Sequence, residues 1–147
     1  MCFRRSENWS GYGRVTSVAP RVVVVDDDAE NCRALSEFLG AEGFEVLPFL
    51  SGDAAWSAIE SQELQPDAVV SDIRMPGVDG IDLLRRLRDH FANLPVILVS
   101  AYPDKALWDE ALRAGALQVL SKPIQGSALV QILLALWNKP STQNPGL

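Results

Sequence analysis

The chain has 147 residues, 48% hydrophobic and 22% charged, a balance that fits one folded domain and excludes a disordered chain. A formal net charge of -6 excludes a dedicated nucleic-acid binder, which needs clustered lysine and arginine against phosphate. Two cysteines, Cys2 and Cys32, show no metal-ligand spacing and cannot form a disulfide framework, so a reduced, cytoplasmic setting is expected.

Residues 1–20 carry early arginines with no apolar stretch behind them, which is not the pattern of a signal peptide. They read as a flexible amino-terminal tail closed by Pro20, one that could make partner contacts. From Arg21 onward, short apolar runs alternate with amphipathic ones. Arg21–Val25 (RVVVV) predicts the first strand, and Glu30–Leu39 the first helix, with Ala34, Leu35, Phe38 and Leu39 at helical spacing. Asp28 is placed to cap that helix, and Gly40 and Gly43 to stop it. Phe44–Leu47 predicts a strand, Asp53–Glu60 a helix, and Asp67–Ser71 a third strand. Ile81–Phe91 predicts a helix with Ile81, Leu83, Leu84, Leu87 and Phe91 on its apolar face, and His90 reads as a surface residue at its end. Pro95–Val99, Asp104–Ala114, Ala116–Leu120 and Ser127–Trp137 complete the series as strand, helix, strand and helix, with Gly115 stopping the fourth helix. Residues 139–147 read as a carboxyl-terminal tail. No apolar run approaches the roughly 20 residues that cross a bilayer, so no membrane insertion is expected.

Five strands alternating with five helices, several of the strands apolar without alternation, predict a parallel sheet covered on both faces. That is a doubly wound α/β domain. Chemistry in such a sheet gathers at the carboxyl ends of the strands. The first strand ends in Asp26-Asp27-Asp28, the third in Ser71-Asp72, the fourth in Ser100-Ala101 and the fifth in Ser121-Lys122-Pro123, whereas the second ends in Leu47-Pro48 with nothing ionisable. Converging carboxylates repel, and a divalent cation or an ammonium relieves them. Oxygen ligands from Asp27, Asp72 and a backbone carbonyl suit Mg²⁺, and Ser100 and Lys122 are the right groups to hold phosphoryl oxygens. This combination describes a carboxylate that accepts a phosphoryl group. No glycine-rich nucleotide loop, catalytic triad or cysteine nucleophile stands in the sequence.

VVVVDDD, SDIRMPGVDG, LVSA and LSKP, in that order, resemble the receiver domain of bacterial two-component response regulators over about residues 21–137. D-x-x-M-P-x-x-x-G with the acidic pair and the Lys-Pro step is the specific part. The resemblance implies a five-stranded flavodoxin-like sheet of order 2-1-3-4-5 spanning residues 21–138. It implies that Asp72 is phosphorylated by a sensor histidine kinase or a phosphotransfer protein, with Asp26, Asp27, Asp72 and the Arg74 carbonyl around Mg²⁺. Ser100 and Lys122 then contact the phosphoryl group. It also implies a downstream protein partner on the face made by the fourth helix, fifth strand and fifth helix. The usual switch aromatic three residues before the lysine is replaced here by Val119, leaving Tyr102 or Trp108 as substitutes. Arg74 and Tyr102 stand where the family tunes self-dephosphorylation, and a long-lived phosphorylated form is expected.

The last helix carries no charge from Ser127 to Trp137, and Val130, Ile132 and Leu134 fall outside the Leu129, Leu133 and Leu136 stripe. A homodimer through this helix is expected. Ten residues follow it, so the output is expected in trans unless the chain is a receiver fragment of a longer transcriptional regulator. Self-phosphorylation and self-dephosphorylation are the only chemistry expected. The rival readings are a structural interaction domain with an unused phosphosite and an aspartyl-intermediate phosphatase. Arg74, two residues after Asp72, speaks against the phosphatase, since such enzymes place a second acid there.

Overall fold

The computed structural model describes residues 19–102 and 104–137; the expectations for residues 1–18 and 138–147 lie outside them. The elements are β1 (Arg21–Val25), α1 (Ala29–Ala41), β2 (Glu45–Phe49), α2 (Gly52–Glu60), β3 (Ala68–Asp72), α3 (Gly80–His90), β4 (Val96–Ser100), α4 (Lys105–Arg113), β5 (Gln118–Ser121) and α5 (Gly126–Trp137). The strands form one sheet in the order β2-β1-β3-β4-β5, all pairs parallel.

The valine run of β1 shows how the layers arise. Side chains alternate across a strand. Val23 and Val25 therefore face a core shared with Ala55 and Ile59 of α2, Leu83, Leu84 and Leu87 of α3 and Ala111 of α4. Val22 and Val24 face a second core with Cys32 and Leu39 of α1 and Leu129 and Leu133 of α5. Helices thus cover both faces, and β1 needs apolar residues at each of its four buried positions, Val22 to Val25.

Local chemistry sets the boundaries. Asp28 caps α1, accepting from the Glu30 and Asn31 amides, and Asp79 and Asp82 form a capping box on α3. Gly40 does not stop α1. The helix runs through it to Ala41, and Gly43, with φ +101°, makes the turn into β2. Gly115, with φ +112°, turns the chain after α4 as expected. β2 continues past Pro48 to Phe49. Proline, lacking an N–H, is accommodated because β2 is an edge strand. β5 starts later than expected, at Gln118, because the Ala116 amide still bonds back to the Ala111 carbonyl as the last turn of α4 unwinds.

The outward face of α5 is less apolar than the sequence pattern implied. Val130 and Ile132 pack against the second core, and the Trp137 ring lies 5.8 Å from that of Phe44. Leu134, 43% exposed, is the large apolar side chain that α5 turns to solvent. Among the described residues no helix is long and apolar enough to cross a membrane.

Candidate functional site

The carboxyl ends of β1, β3 and β5 bring Asp26, Asp27, Asp72 and Lys122 together. The Asp26 amide extends the β1 ladder by donating to the Phe49 carbonyl at 3.1 Å, which turns its side chain inward to 9% exposure, while Asp27 faces solvent. Asp72 ends β3 beside it. Lys122 follows β5 and is anchored by its own amide on the Ser100 carbonyl at 2.9 Å; the Lys122–Pro123 peptide after it is cis. Its Nζ donates to Asp26 Oδ2 and to Asp72 Oδ2, each at 3.2 Å. Asp26 Oδ1 accepts the Asp28 amide at 2.9 Å, which ties the site to the cap of α1.

Glycine places the turn after Asp72. The Gly80 amide donates to the Ile73 carbonyl at 2.8 Å, and a Cβ at position 80 would fall 2.3 Å from the Asp72 carbonyl oxygen. Any larger residue would push α3 off the end of β3. This is the physical reason for a glycine eight residues after the aspartate.

The charges are unbalanced. Three carboxylates each offer an oxygen within 4.8 Å of the others, against one ammonium. Burial pushes the Asp72 carboxyl above its ordinary range, and Asp26 and Asp27 add to the rise, together outweighing the downward pull of Lys122. Burial works against the Lys122 ammonium, but the Asp72 and Asp26 carboxylates overcome it and raise its pKa. Three hard oxygen donors with surplus negative charge fit a small divalent cation such as Mg²⁺.

Ser100 is buried at the end of β4. Its hydroxyl is held by Tyr102, donating to that residue's carbonyl at 3.0 Å and accepting its amide at 3.1 Å. The Tyr102 ring is exposed, and the Arg74 guanidinium lies 5.3 Å from its centroid. The sequence reading put both residues beside the site but missed their contact. It named Ser71 at the end of the third strand but missed that its buried hydroxyl donates to the Asp72 carbonyl at 2.9 Å. A serine inside an otherwise apolar strand was the available signal. Val119 is buried in the core against which Trp108 packs, and His90 is exposed at the end of α3, its Nδ1 3.0 Å from the Arg86 carbonyl.

A family model described as the response regulator receiver domain matches residues 22–134. The chain belongs to the response-regulator receiver family. The receiver is 40% identical over 110 residues to the C4-dicarboxylate transport transcriptional regulatory protein DctD of Pseudomonas aeruginosa, an alignment covering 75% of this chain and 23% of that one. It is 35% identical over 112 residues to the transcriptional regulatory protein FixJ of Bradyrhizobium diazoefficiens, covering 76% of this chain and 54% of that one. This receiver therefore spans about a quarter of the length of DctD and about half that of FixJ. Among solved structures, the receiver domain of the Francisella response regulator 1452 superposes with a TM-score of 0.75 at 30% identity, over 81% of this chain and 97% of that one.

Proposed function

We propose that this receiver accepts a phosphoryl group on Asp72 from a histidine kinase or phosphotransfer protein, with Mg²⁺ bound at Asp26, Asp27, Asp72 and the Arg74 carbonyl. The observation that carries this reading is Lys122 Nζ lying 3.2 Å from both Asp26 and Asp72, inside a cluster whose charge it leaves unbalanced. When bound, the cation neutralises charge on the transferring phosphoryl oxygens. In transfer from a phosphohistidine, an Asp72 oxygen attacks phosphorus and the P–N bond breaks. The leaving imidazole keeps the bonding pair and takes up a proton. Asp72 is suited to attack because Lys122 keeps one of its oxygens oriented.

The phosphoryl group brings more negative charge and three strong acceptors. Lys122 follows them, and Ser100 turns its hydroxyl from the Tyr102 backbone toward a phosphoryl oxygen. The β4–α4 connection then repacks, with Tyr102 or Trp108 moving in place of the aromatic that Val119 is not. The output face of α4, β5 and α5 changes as a population shift between two packings. Leu112, Leu117 and Leu134 are the large exposed apolar side chains along it, and they suit a protein partner or a second copy.

The experiment is labelling by acetyl phosphate with Mg²⁺. The wild type gains 80 Da, and Asp72→Asn does not. Unlabelled wild type, or a labelled Asp72→Asn, overturns the reading in favour of a structural interaction domain. A second reading is favoured by the partial coverage of DctD and FixJ: the receiver acts as one part of a longer transcriptional regulator. An immunoblot of the cellular product distinguishes the two sizes.

A further inference from the structure

The turn that follows Asp72 carries the Arg74 carbonyl, and hydrogen bonds tie its neck. The Ile73 amide donates to the Val99 carbonyl at 2.9 Å, and the Gly80 amide to the Ile73 carbonyl at 2.8 Å. The tip is held differently. Among the described residues, the backbone of residues 74–78 makes no hydrogen bond. Packing places it instead. Met75 and Val78, each 8% exposed, belong to the larger core with Ala55 and Ile59 of α2, while Arg74 stays exposed between the buried Ile73 and Met75.

The first turn of α2 meets this tip. A Cβ on Gly52 would fall 2.4 Å from the Val78 carbonyl oxygen and 3.0 Å from Val78 Cγ1, and a Cβ on Gly77 would stand 3.3 Å from Asp53 Oδ2. Gly52 opens the helix without a positive φ, so space and not conformation calls for glycine there. The Val78 carbonyl that it admits brings partial negative charge to the positive end of α2, a favourable placement. Glycine thus flanks the turn twice, Gly80 against the Asp72 carbonyl at the neck and Gly52 against the Val78 carbonyl at the tip.

The two flanks differ in what they can displace. Asp72 pairs with Val99 in the sheet, and the ladder fixes it. The tip has no ladder. A methyl group at position 52 would meet a backbone oxygen, which cannot rotate away as a side chain can, so the tip itself shifts and the Arg74 carbonyl moves with it. Mg²⁺ holds its ligands at about 2.0–2.1 Å in near-octahedral array and tolerates little displacement. We infer, resting on the Mg²⁺ reading of the acidic cluster, that Gly52 is a positioning residue: by admitting the Val78 carbonyl to the start of α2, it sets where the Arg74 carbonyl stands toward the cation. Its substitution weakens cation binding and leaves Asp72 in place as the acceptor.

Nitrogen-15 spectra of the full chain, without metal and through a Mg²⁺ titration, test this. In EDTA, Gly52→Ala shifts the Arg74, Met75 and Gly77 amides and leaves those of Asp72 and Lys122 in place. Its Kd for Mg²⁺ rises roughly tenfold, while acetyl-phosphate labelling at saturating Mg²⁺ matches the wild type. Ser57→Gly weakens α2 from its exposed side, away from the turn; it melts lower and keeps the wild-type Kd. The wild type gives a reading that needs no variant: its Gly52 and Ala54 amides move with the same Mg²⁺ midpoint as Arg74, while Glu60 at the far end of α2 stays. That titration decides the matter if Gly52→Ala does not fold. An unchanged Kd in folded Gly52→Ala, an equal loss in Ser57→Gly, or wild-type Gly52 and Ala54 amides that ignore the cation overturns the inference alone. A wild type that binds no Mg²⁺ overturns the cation reading of the acidic cluster, and the role of Gly52 with it.

Discussion

Two aspartates stand at opposite ends of one strand and behave differently. Asp67 precedes β3. Its carboxylate accepts the Arg21 amide at 2.8 Å and its amide donates to the Arg21 carbonyl, so it ties the start of β1 to the start of β3. Asp72 ends β3 facing two other carboxylates and one ammonium, and burial raises its pKa. A carboxylate met by backbone donors is a fixed structural tie. A carboxylate met by its own kind is left with charge that only an incoming cation or a chemical change relieves. The same side chain is a structural tie at one end and the proposed phosphoryl acceptor at the other.

The sharpest break of this comparison is chemical. Asp72→Asn abolishes acyl-phosphate labelling outright, whereas Asp67→Asn leaves it within twofold of wild type. Mass spectrometry of both variants checks this, and loss of labelling in Asp67→Asn at unchanged fold would erase the distinction between the two ends.

The second difference is cation dependence. With Mg²⁺ at a hundredfold excess over its Kd, the folded state gains about 2.7 kcal/mol, a rise in Tm of several degrees for a domain of this size. Asp27→Asn removes most of that rise and Asp67→Asn none of it. Thermal melts across a Mg²⁺ series decide the matter, and equal rises in the two variants would detach the cation from the acidic cluster.

Much of this arrangement is legible in the residues, for a physical reason. A β-branched run buried on both faces must be apolar throughout, so β1 declares itself, and the groups after each strand then fall on one edge whatever the details of packing. What escapes is decided by tertiary contacts. Gly40 reads as a helix stop, but α1 packs against the sheet and runs on past it. Pro48 reads as the end of a strand, but only the strand order shows that β2 is an edge where proline fits. Val130 and Ile132 read as flanking or outward because helical spacing alone does not say how far neighbouring chain wraps a helix. Ser100 reads as a strand-end hydroxyl suited to a phosphoryl oxygen, yet its position is set by Tyr102, a local bond that spacing does not reveal.

A third, smaller contrast is stability without cation. Asp72 has a folded pKa above its ordinary 3.8, so its protonated form favours folding. That contribution is fully present below about pH 3.8 and is lost as pH rises through the folded value. In EDTA, Asp72→Asn therefore melts higher than wild type at pH 7, by a few degrees, and the gap closes as the solution is made acid. Asp67→Asn melts lower, since a charge-assisted bond to a backbone amide is weakened, at a cost of about 1 kcal/mol. Lys122 follows the same sign in a far higher pH window. Its pKa is raised above 10.5, so its contribution is present below that value and lost as pH rises through the folded one. Two melts that shift in the same direction would mean that the Asp72 charge is already relieved by Lys122.

The smallest effect belongs to the pair that borders the reactive end. The Arg74 guanidinium sits 5.3 Å from the Tyr102 ring centroid, and the Tyr102 backbone holds the Ser100 hydroxyl. On the proposed function, this stack shields the aspartyl phosphate from water and yields when Ser100 turns inward. An exposed cation–π contact is worth roughly 0.5–1 kcal/mol, and each 1.36 kcal/mol is tenfold in rate. Losing the contact therefore shortens the phosphorylated lifetime by roughly two- to fivefold. Arg74→Ala and Tyr102→Ala each show this shortening in a phosphate-release time course. The double variant is no faster than the quicker single one, because either substitution already dismantles the stack. If both singles keep the wild-type lifetime, the pair shields nothing. If the double variant multiplies the two effects, each side chain hinders water on its own and their contact is incidental.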